Sequence, residues 1–312
     1  MGWPCRVELW GATIEQARAD YAAVANAIAA YEPVTMIANP GADSAMARAA
    51  CGQAVQVVEI GLDDSWLRDC GPIYSYGDDG RRVANHFRFN AWGEKFPPWD
   101  RDAAVGRLIA QALGDEVREI PLVLEGGSIL TDGAGTLLTT EQCLLDPSRN
   151  PSLSREQIEA ALRESLGVAR ILWLGQGLLE DRDTDGHVDL IAAFVRPGHV
   201  LLQSVGEENP NFTHCEENRV RLHNEGVEVT ELPFLTYAEV AGETIAPSYL
   251  NFYLCNRGVV VPVAGVETDQ PALEIIAAAY PDREVVPVPG RVLAYGGGGP
   301  HCITQQVPVR HG

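Results

Sequence analysis

Short apolar runs of strand character recur along the chain at a nearly constant interval. VQVVEI closes at Ile60, EVREIPLVLE passes Ile120, ARILWLG passes Leu174, VEVTELPF passes Leu232 and REVVPVPG passes Val288, so successive runs lie 60, 54, 58 and 56 residues apart. Ahead of each lies an Ala-rich or amphipathic stretch with apolar positions at helical spacing, near residues 42–50, 102–113, 154–165, 214–225 and 269–280. A further helix is predicted over residues 14–31. Ser154 to Gln157 and Thr13 to Gln16 both read as capping boxes, which mark helix starts. Between the helical stretches, HVDLIAAFV, HVLLQS and RGVVVPVA read as additional strands.

The pattern is a strand-rich unit of about 57 residues with one helix, repeated five times. No Pro/Gly/Ser linker or charge run separates the units, which favours one closed, pseudo-symmetric α/β domain over residues 1–312 rather than two domains. In a radial array, equivalent positions of every unit lie at the same end of the molecule. The segments after the repeating strands should therefore converge: GLDDSWLRDCGP after Ile60, LEGGSILTDGAGT after Ile120, DRDTDGHVD after Leu174 and LAYGGGGPHCITQQ after Val288.

Charge narrows the partners. The net charge of −20 repels phosphate backbones and anionic lipid surfaces and draws in cations, so neither nucleic acid nor membrane is an expected partner. No stretch approaches the length of a membrane helix, and the opening MGWPCRVELWGATIEQ lacks a signal pattern, so a cytosolic location is expected. Seven scattered Cys with no C-x-x-C pair argue against a disulfide framework and a structural zinc site.

The convergent segments hold the residue types that do chemistry. Gly296 to Gly299 let a ligand approach the main chain, but the run lacks the spacing and the Lys-Ser/Thr of a phosphate cradle. Cys302 follows in the polar run HCITQQ and is a candidate nucleophile. Adjacent His301 is expected to point away from it, as neighbours on a strand do. His187 and Asp189, two apart in DGHVDLIAAF, would share one face of a strand, placing an imidazole and a carboxylate at the mouth of a buried element. Glu125 ends an apolar run before paired glycines, and Asp69 lies near Trp66 before a Gly-Pro turn. Facing carboxylates need a cation between them. A planar guanidinium fits better than a metal: it offers five N–H donors to carboxylates, and an indole face adds a cation–π contact.

Six motifs in order, DDSWLRDCGP (63–72), FRFNAWGEK (87–95), LEGGSILTDGAGTLLTTEQCLLDPSRNP (124–151), DTDGHVD (183–189), SYLNFY (248–253) and GGGGPHCITQQ (296–306), resemble the agmatine deiminase family, grouped with the Porphyromonas-type peptidylarginine deiminases in the guanidine-modifying superfamily. The resemblance implies a five-bladed α/β propeller (pentein fold) of ββαβ units. It implies Cys302 as nucleophile, His187 as acid/base, Asp69, Glu125 and Asp189 as guanidinium-binding carboxylates and Trp66 in the substrate pocket. It also implies a small cationic guanidino substrate, a covalent S-alkylthiouronium on Cys302, no cofactor, no metal and a homo-oligomer. Family members usually carry a further segment before the Trp-Pro found here at Trp3-Pro4, so the expectation is either a start misassigned at Met1 or a first repeat trimmed at its N-terminus. Leu130 and Pro300 stand where the family more often has His and Ile. Hydrolysis of agmatine heads the functional readings. Deimination of another guanidino compound or of peptidyl arginine, amidino transfer, and a non-catalytic guanidine-binding propeller are the alternatives.

Overall fold

The computed structural model describes residues 1–77 and 79–309. It is an α/β protein in which the same small unit recurs. In the first unit, β1 (Val34–Ala38) and β2 (Val55–Glu59) pair in parallel across the helix Ala42–Ala50. The second holds β3 (Ile73–Tyr76), β4 (Arg82–Arg88) and β5 (Glu116–Val123), with the helix Asp100–Ala112 between the last two. The third holds β6 (Ile129–Thr131), β7 (Thr136–Thr140) and β8 (Arg170–Leu174), with the helix Arg155–Leu166. The fourth holds β9 (Ala192–Arg196), β10 (His199–Gln203) and β11 (Glu228–Leu232), with the helix Phe212–Asn224. A hairpin of β12 (Ala238–Val240) and β13 (Glu243–Ile245) precedes the fifth, which holds β14 (Tyr253–Cys255), β15 (Gly258–Val263) and β16 (Glu284–Pro289), with the helix Asp269–Ala279.

In each three-stranded sheet the middle strand pairs antiparallel with the strand before it and parallel with the one after it. Antiparallel neighbours are joined by short turns, whereas parallel neighbours need a crossover, and the helix supplies it. In the first unit, residues 1–3 lie along β1: Gly2 bridges Ile37 in parallel, and Trp3 N donates to Ile37 O at 2.8 Å.

The middle strands are buried on both faces, and alternate residues serve different cores. Leu137 of β7 packs with Phe87, Leu122 and Ile158, while Leu138 packs with Leu172, Val200 and Leu222. Leu201 of β10 packs with Val259, Val261 and Ile276, while Val200 and Leu202 face the preceding cluster. Val260 and Val288 of the fifth unit join Met36 and Val55 of the first and Leu67 and Val105 beyond them. Each unit thus shares an apolar layer with the next, and the fifth shares one with the first.

Two local expectations are corrected. Thr13 does not cap the helix Ile14–Ala29: its hydroxyl donates to Trp10 O at 2.7 Å inside the 3-10 turn Gly11–Thr13 that leads into the helix. Ser154 does form its capping box with Gln157. His187 and Asp189 are not on a strand. They flank Val188 at a 3-10 turn, Val188–Leu190, and the strand of that segment begins at Ala192. Among the described residues no helix is long and apolar enough to cross a membrane.

Candidate active site

The site is built from the segments that leave the last strand of each unit. Trp66 and Asp69 follow β2, with Asp69 in the single helical turn Leu67–Cys70. Glu125 follows β5 and heads the 3-10 turn Gly126–Ser128. His187 and Asp189 follow β8, and Cys302 lies in a turn after β16 and the short helix Arg291–Tyr295. All six side chains are buried.

His187 stands at the centre. Its Nδ1 is 3.9 Å from Asp69 Oδ1 and 4.0 Å from Asp189 Oδ1, and its Nε2 is 3.9 Å from Glu125 Oε2. Neither ring nitrogen has a hydrogen-bond partner among the described residues. Asp189 Oδ2 lies 3.4 Å from Cys302 Sγ and 2.7 Å from His301 Nδ1. His301 therefore does not point away from Cys302. The two sit in a turn rather than a strand, and both side chains reach the same carboxylate.

Close packing of backbone makes two glycines necessary. A Cβ on Gly127 would lie 2.6 Å from His187 Nδ1, 2.9 Å from Asp69 Oδ1 and 3.0 Å from Asp189 Oδ2. On Gly298, within the glycine run, it would fall 2.9 Å from Cys302 Sγ and 2.8 Å from the Trp66 ring. Gly127 also donates its N–H to Asp69 Oδ1 at 2.8 Å.

Four residues outside the predicted set complete the arrangement. Trp92 Nε1 donates to Asp69 Oδ2 at 2.9 Å from a stretch in which Ala91, Trp92 and Glu94 all have positive φ. Arg149 Nε donates to Glu125 Oε1 at 2.9 Å, and its terminal nitrogen reaches Thr184 O at 3.1 Å. Asn251 donates to the Asp189 carbonyl at 3.1 Å and accepts from Cys302 N at 3.2 Å, joining the segments that carry Asp189 and Cys302. Arg68 Nε donates to His301 O at 3.2 Å and its N–H to Cys302 O at 3.1 Å. Arg149 and Asn251 lie in motifs visible in the sequence, and Asn251 occupies the fourth unit's place in the repeat. Their partners are too distant in the chain for local pattern to reveal.

The charges divide the site. Burial acts against a charged His187, but Asp69, Cys143 and Glu125 outweigh it and hold its pKa well above the usual histidine value. Burial pushes the Cys302 thiol well up, with the negative charges of Asp189 and Asp69 adding to the effect. Burial also raises Asp69 to about 6, with repulsion from Asp189 and Glu125 opposing the help of His187 and the Trp92 N–H. Against the same burial, Glu125 is held below its usual range by His187 and Arg149, and Asp189 by His301, His187 and Arg68.

A pocket leads from solvent to Cys302 and Asp69. Its walls are Leu9, Trp66, Trp92 and Phe96, the backbone of Gly296 and Gly297, and the acidic residues Asp64 and Asp183. Trp66 stacks on Trp10 with ring centres 5.9 Å apart. Asp64 is paired with Arg6 at 3.1 Å. Such a pocket can take a flat cation between carboxylates and an indole, with a thiol and an imidazole beside it. Glu125, Cys143 and His187 also bring one ligand atom each within 4.8 Å of one another. That trio is a poor metal cradle: burial and Glu125 push the Cys143 thiol to about 11, and Arg149 already neutralises Glu125.

A family model described as Porphyromonas-type peptidyl-arginine deiminase matches residues 1–308. The agmatine deiminase of Stutzerimonas stutzeri is 42% identical, the match covering 99% of this chain and 92% of that protein. A solved structure of the agmatine deiminase of Enterococcus faecalis superposes with a TM-score of 0.94 at 33% identity, over 100% of this chain and 93% of the other. A substrate-bound agmatine deiminase of C. jejuni superposes at 0.89 with 28% identity, over 95% of this chain and 88% of the other.

Proposed function

The chain belongs to the Porphyromonas-type peptidyl-arginine deiminase family, and from that premise we propose that it hydrolyses agmatine to N-carbamoylputrescine and ammonia through a covalent thiouronium on Cys302. The observation that carries the reading is the meeting of a buried thiol, a histidine and three carboxylates from four distant segments at the end of one acidic, Trp-lined pocket. Relatives named as agmatine deiminases over nearly the whole chain support the choice of substrate. The net charge of −20 and the pocket carboxylates suit a dication.

Each residue has a role in this mechanism. Asp69, Glu125 and Asp189 hold the guanidinium, and Trp66 lies against its face. The bound cation offsets the negative field that keeps Cys302 protonated, so the thiol loses its proton to solvent and the thiolate attacks the guanidine carbon. His187, entering as imidazolium, gives its proton to the departing nitrogen, which leaves as ammonia. Water attacks the thiouronium, neutral His187 takes a proton from it, the C–S bond breaks and the ureido product leaves. The second proton released restores the thiol.

The same reading arranges the five units as blades of one pseudo-symmetric propeller domain, the pentein fold, with the site on its axis. Apolar layers shared between successive units and between the fifth and the first support that closure. Assembly into a homo-oligomer in the cytosol accompanies it as a family expectation.

Acid quenching of enzyme mixed with agmatine, followed by peptide mass mapping, tests the chemistry. The expected result is a thiouronium adduct on the Cys302 peptide at early times. Turnover by Cys302→Ala, or an adduct on another residue, contradicts the mechanism.

A further inference from the structure

Asp189 Oδ2 serves two neighbours at once. Cys302 Sγ lies 3.4 Å from it and His301 Nδ1 lies 2.7 Å from it, while Asp189 Oδ1 is buried without a partner among the described residues. An ionised carboxylate only accepts, so the short contact requires His301 Nδ1 to carry the hydrogen. The imidazole side chain is 16% exposed, whereas the carboxylate is 1% exposed.

Two donors on one oxygen compete. A carboxylate oxygen already engaged by a strong N–H offers less charge to a neighbouring S–H and repels a neighbouring thiolate less. The turn that carries Cys302 also carries His301, and it is fixed by Asn251 O accepting from His301 N at 3.0 Å and by Arg68 Nε donating to His301 O at 3.2 Å. The imidazole is thus built into the same turn as the nucleophile, on the side of the carboxylate that the sulfur faces.

We propose that His301 is a positioning residue for the deimination: its Nδ1–H engages Asp189 Oδ2, leaves Oδ1 for the guanidinium, and screens the nascent Cys302 thiolate from the Asp189 charge. The inference rests on the reading of Cys302 as nucleophile. The charged groups around His301 agree with a neutral donor. Burial and the Arg68 guanidinium lower its pKa, Asp189 opposes them, and His187 adds to the lowering. The thiol feels the same Asp189 charge, together with that of Asp69.

The test compares His301→Ala with His301→Asn, whose Nδ2 sits as many bonds from Cα as Nδ1 of histidine. The readout is the second-order rate of iodoacetamide alkylation of Cys302 between pH 7 and 9 without substrate, followed on the Cys302 peptide, alongside the kcat/KM pH profile with agmatine. His301→Ala should slow alkylation about tenfold at each pH, the equivalent of about one unit in the thiol pKa, and His301→Asn should restore most of it. A merely structural histidine would alter the melting temperature and leave the alkylation rate of the folded fraction unchanged. Equal rates in wild type and His301→Ala, or equal defects in Ala and Asn, overturn the proposal. Agmatine turnover by Cys302→Ala would instead overturn the nucleophile assignment, so the two failures are distinguishable.

Discussion

Arg149 and Glu125 form an ion pair sealed from solvent, with Nε 2.9 Å from Oε1 and neither side chain exposed. Removing one partner of such a pair leaves the other charge buried and uncompensated. Arg149→Met is expected to cost about 3–5 kcal/mol of stability, read as a shift in the denaturant midpoint, and to lower kcat/KM by loosening Glu125. Arg149→Lys should recover only part of this, because an ammonium cannot reproduce the planar fork that spans Glu125 and Thr184. A midpoint unchanged in Arg149→Met would contradict the assignment.

Gly127 separates His187, Asp69 and Asp189 by main chain alone. Gly127→Ala drives a methyl to within 2.6 Å of His187 Nδ1, and the expected result is a loss of about a hundredfold or more in kcat with the fold retained by circular dichroism. Near-normal turnover would mean that the three side chains need not keep this spacing.

The acid limb of the pH profile should belong to Asp69, whose pKa burial raises to about 6, with His187 opposing the rise and its carboxylate neighbours adding to it. As pH falls through about 6, Asp69 gains a proton, the free enzyme loses a counter-charge for the guanidinium, and kcat/KM falls. The bound cation favours the ionised form, so the limb in kcat should lie lower. Trp92→Phe removes the N–H that favours the carboxylate, and its kcat/KM limb is expected to move to higher pH. A limb that stays in place would assign the titration elsewhere.

Asp183 lines the same pocket as Asp69 and Cys302. If it meets the far ammonium of agmatine, Asp183→Asn raises KM about tenfold, equal to about 1.4 kcal/mol, with a smaller change in kcat. It should also narrow the preference over free arginine, whose carboxylate Asp183 repels. Steady-state kinetics on both substrates checks this. An unchanged KM for agmatine places the ammonium elsewhere.

The regular part of the molecule is legible in the sequence because its period is long and its middle strands are apolar on both faces. The helices Ala42–Ala50, Arg155–Leu166 and Asp269–Ala279 fall within two residues of the predicted stretches. Because equivalent positions of a repeat are expected at one end, Asp69, Glu125, His187, Asp189 and Cys302 can be grouped from their places in the period alone. Local conformation is less legible. Spacing of two suggests a strand for His187 and Asp189, but the turn Val188–Leu190 is set by tertiary packing and by Asp181, whose carboxylate accepts from His187 N at 3.0 Å. Thr13 has the capping pattern and spends its hydroxyl on Trp10 instead. The supports, Trp92, Arg149 and Asn251, act through side-chain contacts to partners 23 to 62 residues away, and a repeat that predicts which segments converge does not predict which side chains pair within them.

The most direct test of the account is product formation by purified protein given agmatine, free arginine and a blocked peptidyl-arginine in parallel, with ureido product and ammonia both measured and Cys302→Ala as control. The account predicts stoichiometric ureido product and ammonia from agmatine in preference to the other two, abolished in Cys302→Ala. Preferred turnover of peptidyl-arginine, or agmatine turnover that survives the loss of Cys302, would contradict it.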